Sequence, residues 1–236
     1  MILLFILIFT FIGVKTYIQV QNYQKTSYYR VTKNSFFDVY YNKGKFGEYL
    51  TYKQLIPYED GGNRFLFNLY IPSRDNKTTE LDLVMITKKG IIVFESKNFS
   101  GWIFGDINSK MWMQTLPNGR GKSSKSQFYN PIFQNKGHIN NLRKLLDDNI
   151  PIFSIIVFSE RCTLKKVPED SKEIMVINRY DIAKTIKKIY ASNPDVLEQN
   201  QVGQIYSKLY KYTQTDENVK KEHIQNIKNA NRDGIK

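Results

Sequence analysis

The chain contains a single cysteine, Cys162, and only two histidines, His138 and His223, in 236 residues. One cysteine excludes an intrachain disulfide and fits a reducing compartment. The same scarcity excludes a structural zinc site, a histidine-rich nuclease centre and a Cys–His nucleophile pair. Any chemistry must therefore come from carboxylates. The sequence also lacks an internal repeat and a glycine-rich phosphate loop of the Walker type. Acidic residues are too few to balance the basic ones: 22 against 35, for a net charge of +13 and a pI of about 9.5. Such a surplus points to an anionic partner, either nucleic acid or an acidic membrane face.

Charge is missing altogether from Met1–Val14. Fourteen helical residues span about 21 Å, short of a hydrocarbon core of ~30 Å. Extension to Val20 reaches about 30 Å and includes Lys15, which can snorkel to the interface. No lysine or arginine precedes the run and no clear small-x-small site follows it, so an uncleaved anchor over residues 1–20 is favoured over a cleaved signal peptide. Positive charge lies only on the C-terminal flank, at Lys15, Lys25, Arg30 and Lys33. That asymmetry predicts a single-pass protein of the cell membrane whose soluble part faces the cytoplasm.

Two strand-like runs, Leu81–Thr87 and Gly90–Asn98, carry Asp82, Glu95 and Lys97 among apolar residues. Charge in such strands costs several kcal/mol unless it is paired or holds a metal. Alternation places Glu95 and Lys97 on the face of Ile91 and Val93. A two-residue loop at Lys89-Gly90 pairs Asp82 with Lys97; one at Lys88-Lys89 pairs Asp82 with Glu95. Either register puts the three polar groups on one face. The opposite faces are apolar too, so helices or other layers should cover both sides of the sheet. Two carboxylates and a lysine suit phosphodiester hydrolysis: Asp82 and Glu95 as ligands of Mg²⁺ or Mn²⁺, Lys97 beside the attacking water or the phosphate charge. The competing interpretation is a buried ion pair without chemistry.

The order Asp82…Glu95-Ser96-Lys97 resembles the D…ExK signature of the PD-(D/E)xK nuclease superfamily. Gly44-Lys45-Phe46-Gly47-Glu48 resembles the GxxGE opening of the nuclease-related domain, NERD. Gly101-Trp102-Ile103-Phe104-Gly105-Asp106 with Trp112 resembles that family's G-x-I-x-G-D…W stretch. Asn130-Pro131-Ile132-Phe133-Gln134, with His138 and Leu142, resembles its N-P-x-x-Q…H…L helix. The blocks run in order from about Gly44 to about Leu146; Leu81 stands where the superfamily name has proline. The resemblance implies an α/β fold with a restriction-endonuclease-like central mixed sheet flanked by helices. It implies a metal-dependent nuclease, with Glu48 assisting metal or water and Gln134 positioning substrate or solvent.

Elsewhere, residues 21–34 read as a polar, tyrosine-rich juxtamembrane linker and residues 35–213 as the nuclease domain. The stretch from Ser35 to Ile56 reads as helix interrupted at Gly44 and Gly47. Phe65–Ile71 reads as a strand, and Trp102–Trp112 as a hairpin whose tryptophans pack. Leu116–Gln127 reads as a loop whose Arg120, Lys122 and Lys125 are placed to grip a phosphate backbone. Asn130-Pro131 is a helix start. Ile152–Ser159 and Glu173–Ile177 read as strands, Tyr180–Tyr190 and Val196–Tyr212 as amphipathic helices, and residues 214–236 as a frayed polar tail. These features predict a membrane-tethered nuclease acting on DNA in preference to RNA. Two alternatives are an inactive nucleic-acid-binding module and a membrane-surface interaction protein.

Overall fold

A computed structural model describes residues 1–74, 77–119, 121–146 and 149–232. Four helices come first: α1 (Ile2–Gln24), α2 (Ser27–Thr32), α3 (Phe36–Tyr41) and α4 (Lys43–Lys53). An antiparallel meander follows, formed by β1 (Arg64–Pro72), β2 (Thr78–Thr87) and β3 (Gly90–Lys97). Next come β4 (Gly101–Phe104), β5 (Met111–Pro117), β6 (Ser123–Tyr129) and α5 (Pro131–Arg143). The chain continues through β7 (Ile152–Phe158), β8 (Cys162–Lys166), β9 (Ile174–Asn178), α6 (Ile182–Ser192), α7 (Gln199–Tyr210) and α8 (Glu217–Arg232).

Two mixed sheets result, ordered β1-β2-β3-β7-β9 and β6-β5-β4-β8. In the first, β7 and β9 run parallel to β3. One of its faces packs Phe67, Leu83, Phe94 and Ile155 against Tyr52 of α4 and Ile186 of α6. The other packs Leu66, Val84 and Val93 against Leu142 of α5 and Val202 of α7. Each such side chain contributes about 1.5–3 kcal/mol on burial. Burial of Gly90–Phe94 throughout matches the expectation of a sheet covered on both sides. The smaller sheet shares a core with the end of β7 through Ile103, Trp112 and Phe158, Trp112 stacking on Phe158.

Several local expectations are corrected. Residues 21–34 are not a linker: α1 runs on to Gln24, α2 follows, and Tyr23, Tyr28 and Val31 are core residues. Their phenol rings pack edge-on against Tyr49 and Phe67, an apolar use of tyrosine that composition alone reads as polar. Gly44 and Gly47 do not interrupt a helix; both lie inside α4, whose N-cap Asn42 accepts from the N–H groups of Gly44 and Lys45. Residues 116–127 are largely a β-hairpin, with β5 paired to β6 from Met111↔Tyr129 to Pro117↔Ser123. The tail beyond residue 213 includes α8, which buries His223. β8 had no strand signal in its polar sequence and forms by pairing with β4.

Among the described residues, α1 is the one helix long and apolar enough to cross a membrane, and its apolar window is unburied.

Candidate active site

The site forms where the alternation of β1 and β2 breaks. Leu66 and Leu69 lie on one face of the sheet, as do Leu81 and Val84, whereas Phe67 and Leu83 lie on the other. Neighbours of opposite parity share a face only if the backbone twists between them. The twist falls at Asn68, whose φ is +50°, and at Asp82, which faces Asn68 between the pairs Phe67↔Leu83 and Leu69↔Leu81. Thr87 pairs with Gly90, so the hairpin loop is Lys88-Lys89, the register that sets Asp82 opposite Glu95. The ladder between β2 and β3 stops at Leu83↔Phe94. Beyond it, the Asp82 carboxylate accepts a hydrogen bond from the Ser96 N–H at 2.8 Å.

Glu95 is buried at 1% exposure. Its Oε1 accepts from Lys97 Nζ at 2.6 Å, and the same ammonium donates to Gln134 Oε1 of α5 at 3.0 Å. Glu95 Oε2 lies 3.3 Å from His138 Nε2 without hydrogen-bond alignment, leaving both atoms without a hydrogen-bond partner. Thr79 holds the other ring nitrogen of His138 at 2.6 Å. α5 is aimed by its N-terminus: the Asn130 side chain caps Ile132 N–H and donates to Ser109 O at 2.8 Å. Asn135 then donates to Val93 O and to Ser154 Oγ, fixing the helix on β3 and β7.

Glu48 approaches from α4. The helix seats on the end of β3 because residue 47 is glycine: a Cβ there would stand 2.5 Å from Asn98 Cβ. Thr51 Oγ1 meets Ser96 Oγ at 2.9 Å. Asn68 then joins two carboxylates, donating to Glu48 Oε2 at 2.9 Å and to Glu80 Oε1 at 3.3 Å.

Burial raises the Glu48 carboxyl to about 7, with the Asn68 bond opposing and Glu80 and Glu95 reinforcing. Burial likewise pushes Asp82 well above the usual carboxylate range, helped by repulsion from Glu95 and Glu48 and opposed by Lys97. Burial acts in the same direction on Glu95 but is overcome by Lys97 and His138, which draw its carboxyl down to about 2. Burial acts against the Lys97 ammonium, yet Glu95 and Asp82 hold its pKa above the ordinary value, so it stays charged.

Asp82, Gln134 and His138 line a cleft of about 410 Å³ together with Thr79, Glu80 and His223. The structure thus brings Glu48, Asp82, Glu95, Lys97 and Gln134 to one end of the sheet. Lys122 and Lys125 lie elsewhere, exposed on the β5–β6 hairpin and outside the lining of that cleft. Arg120 falls outside the described residues. Sequence reasoning missed Asn68 and Glu80. Neither carries a local signal, because their role follows from the twist opposite Asp82. Gly105, by contrast, explains its motif block structurally: a Cβ would lie 2.0 Å from the Trp112 ring, whose Nε1 donates to Asp106 O at 3.0 Å.

The donor set fits a hard divalent cation in kind. Oxygen ligands are available from Asp82 and from Glu95 Oε2, which accepts no hydrogen bond and lies 3.3 Å from His138 Nε2, at a place where repulsion between carboxylates is incompletely offset. No cluster of three or more His, Cys, Asp or Glu side chains stands ready to hold an ion among the described residues.

The nuclease-related domain family, NERD, matches residues 43–159. An uncharacterized protein of Bacillus anthracis is 31% identical over 188 residues, which cover 79% of this chain and 84% of that protein. The chain belongs to the NERD family. The solved 5-hydroxymethylcytosine-specific restriction enzyme AbaSI is similar over 80% of this chain and 48% of its own, at 14% identity and a TM-score of 0.28. A TM-score that low does not define a shared fold, so the assignment rests on the sequence matches. Family membership supports a nuclease-type function, hence a nucleic-acid substrate, and nuclease folds of this kind generally use divalent metals.

Proposed function

We propose that the protein is a divalent-metal-dependent nuclease that hydrolyses phosphodiester bonds, of DNA in preference to RNA, while tethered to the membrane by α1 with its soluble part in the cytoplasm. The observation that carries the catalytic reading is the bridge from Glu95 through Lys97 to Gln134, with Asp82 beside it and the second Glu95 oxygen accepting no hydrogen bond. Asp82 and Glu95 would hold Mg²⁺ or Mn²⁺, which supplies Lewis-acid polarisation of the phosphoryl oxygen and a more acidic water. Lys97, kept as an ammonium, orients that water and offsets charge that builds on the phosphate. Gln134, its carbonyl engaged by Lys97, presents its amide N–H groups to a phosphate oxygen or water. Glu48, reaching the same end of the sheet from α4, assists the metal or the water. Lys122 and Lys125, with Arg120, supply backbone contacts away from the reacting phosphate.

The test uses the full-length protein in detergent with plasmid, linear and single-stranded DNA and with RNA, in Mg²⁺, Mn²⁺ or EDTA. Cleavage that requires the metal and is abolished by EDTA supports the reading. Binding without cleavage in every metal leaves an inactive binding module. Lys97→Met separates the roles of the lysine. Loss of kcat and kcat/KM together marks an interaction made in the transition state, whereas a raised KM at constant kcat marks phosphate binding. A large fall in melting temperature at normal turnover per folded molecule marks a structural ion pair and overturns the catalytic assignment.

A further inference from the structure

α3 turns three of its aromatic residues outward: Phe37, Tyr40 and Tyr41 are 51, 53 and 80% exposed. The rings form a connected patch, Phe37 stacked on Tyr41 and Tyr40 on Phe36. A contiguous aromatic surface of this kind marks an interaction site. Its position relative to α1 says what covers it. At 1.5 Å per residue the 23-residue α1 is about 35 Å long, against ~30 Å of hydrocarbon. Its penultimate residue, Tyr23, is already a core residue at 1% exposure. The Tyr23 hydroxyl donates to Asn34 O at 2.7 Å, and its ring packs against Phe36 at 5.7 Å. The domain therefore begins without a spacer. A span that fills the hydrocarbon from Ile2 uses about 20 residues and leaves Tyr23, with the α3 ring on it, within about one turn of the interface.

The charge fits the same surface. Asp38, the acidic residue of α3, is neutralised by Lys45 at 2.6 Å. Lys43 and Arg161 line a cleft together with Tyr40 and Tyr41. Aromatic residues with a basic fringe are what the headgroup layer of an anionic bilayer accepts.

We infer that Phe37, Tyr40 and Tyr41 sit in the headgroup layer of an anionic membrane and, with the spacer-free α1, fix the orientation of the domain on it. This rests on the reading of α1 as a membrane span. It also places the site: Asn98, the residue after Lys97, donates to Lys43 O at 2.7 Å, so the catalytic end of β3 is the end nearest the bilayer.

The test places an environment-sensitive fluorophore on full-length protein in phosphatidylglycerol–phosphatidylcholine vesicles, through Tyr41→Cys, Leu7→Cys or Val196→Cys in separate variants. Cys162 does not compete, being buried with its thiol pushed up to about 11. Val196, at the far end of β3 beside Lys88, reports the water-facing surface. The expected result is several-fold stronger quenching by headgroup-proximal spin-labelled lipid at position 41 than at 196, with position 41 shielded from aqueous iodide. Lipid quenching at position 7 with free iodide access at 41 overturns the inference and leaves the span standing. Absence of lipid quenching at position 7 overturns the span and the inference together. Shielding at 41 by a single-stranded oligonucleotide, without lipid quenching, gives the face to nucleic acid and likewise overturns the proposal.

Discussion

The two ends of the β2–β3 hairpin are built from the same two strands and do opposite things. At the turn, Ile86, Ile91, Ile92 and Val93 are fully buried, and the Thr87 hydroxyl closes the loop by donating to Gly90 O. At the other end, alternation fails, the ladder stops, and Asp82, Glu95 and Lys97 occupy the space that apolar side chains fill elsewhere. The turn end has its contacts satisfied. The charged end does not: Glu48 and Asp82 are held above their usual range by burial and by each other, and Glu95 Oε2 has no hydrogen bond. One hairpin thus separates a fully packed apolar end from a cluster of incompletely satisfied charges along about 20 Å of strand.

Substitutions at either end break or sharpen that contrast. Ile92→Ala, at the turn end, should cost about 4 kcal/mol of stability through the cavity it leaves, with turnover per folded molecule unchanged. Chemical denaturation paired with active-fraction kinetics checks it; a loss of turnover without loss of stability would break the division. Glu95→Gln, at the charged end, should lower metal-dependent cleavage at least about 100-fold, or about 2.7 kcal/mol of barrier, and should also lower stability, because the buried Lys97 ammonium loses its carboxylate. Wild-type rates at limiting metal would remove Glu95 from the ligand set.

Gly47→Ala tests how tightly α4 must dock to present Glu48. A Cβ at 2.5 Å from Asn98 Cβ forces helix or strand to shift, which predicts a loss of about 1–3 kcal/mol and reduced cleavage together. Unchanged melting and unchanged rate would show that the seat is soft.

The smallest effect is a pH slope. The Glu48 carboxyl titrates near 4.5 when free and near 7 in the fold. Between those values the folded state holds more protons than the unfolded one, so stability falls as pH rises and levels off above about 7. Glu48→Gln should remove part of that slope, on the order of 1 kcal/mol, and leave stability below pH 4.5 little changed. Parallel slopes for both proteins would show that Glu48 is not the group held protonated.

Much of this was legible along the chain. The hairpin could be read because two apolar runs flank Lys88-Lys89-Gly90, with two registers left open, and the charges in it were conspicuous by their cost. The start of α5 was legible because Asn130 and Pro131 are local capping chemistry, which the fold uses as written. The residues that complete the site were not. Asn68 and Glu80 look like ordinary polar residues, and only the twist opposite Asp82 turns both toward Glu48. His138, which the sequence shows only as part of a motif block, is buried against Glu95 once α5 lies on β3. The tyrosines of residues 21–34 were misread because a phenol is polar in a composition count but packs as an aromatic when neighbours enclose it.

By itself, then, the sequence determined which short segments become strands and helices, which residues carry the charge, and that residues 1–14 hold no charged side chain, since propensity, capping and periodicity act over a few residues. Only the tertiary structure decided the register that sets Asp82 against Glu95, the seating of α4 that delivers Glu48, and the burial that moves carboxyl groups away from their usual range. Those depend on contacts between residues tens of positions apart, where the free energy of a charge is set by what surrounds it rather than by its neighbours in the chain.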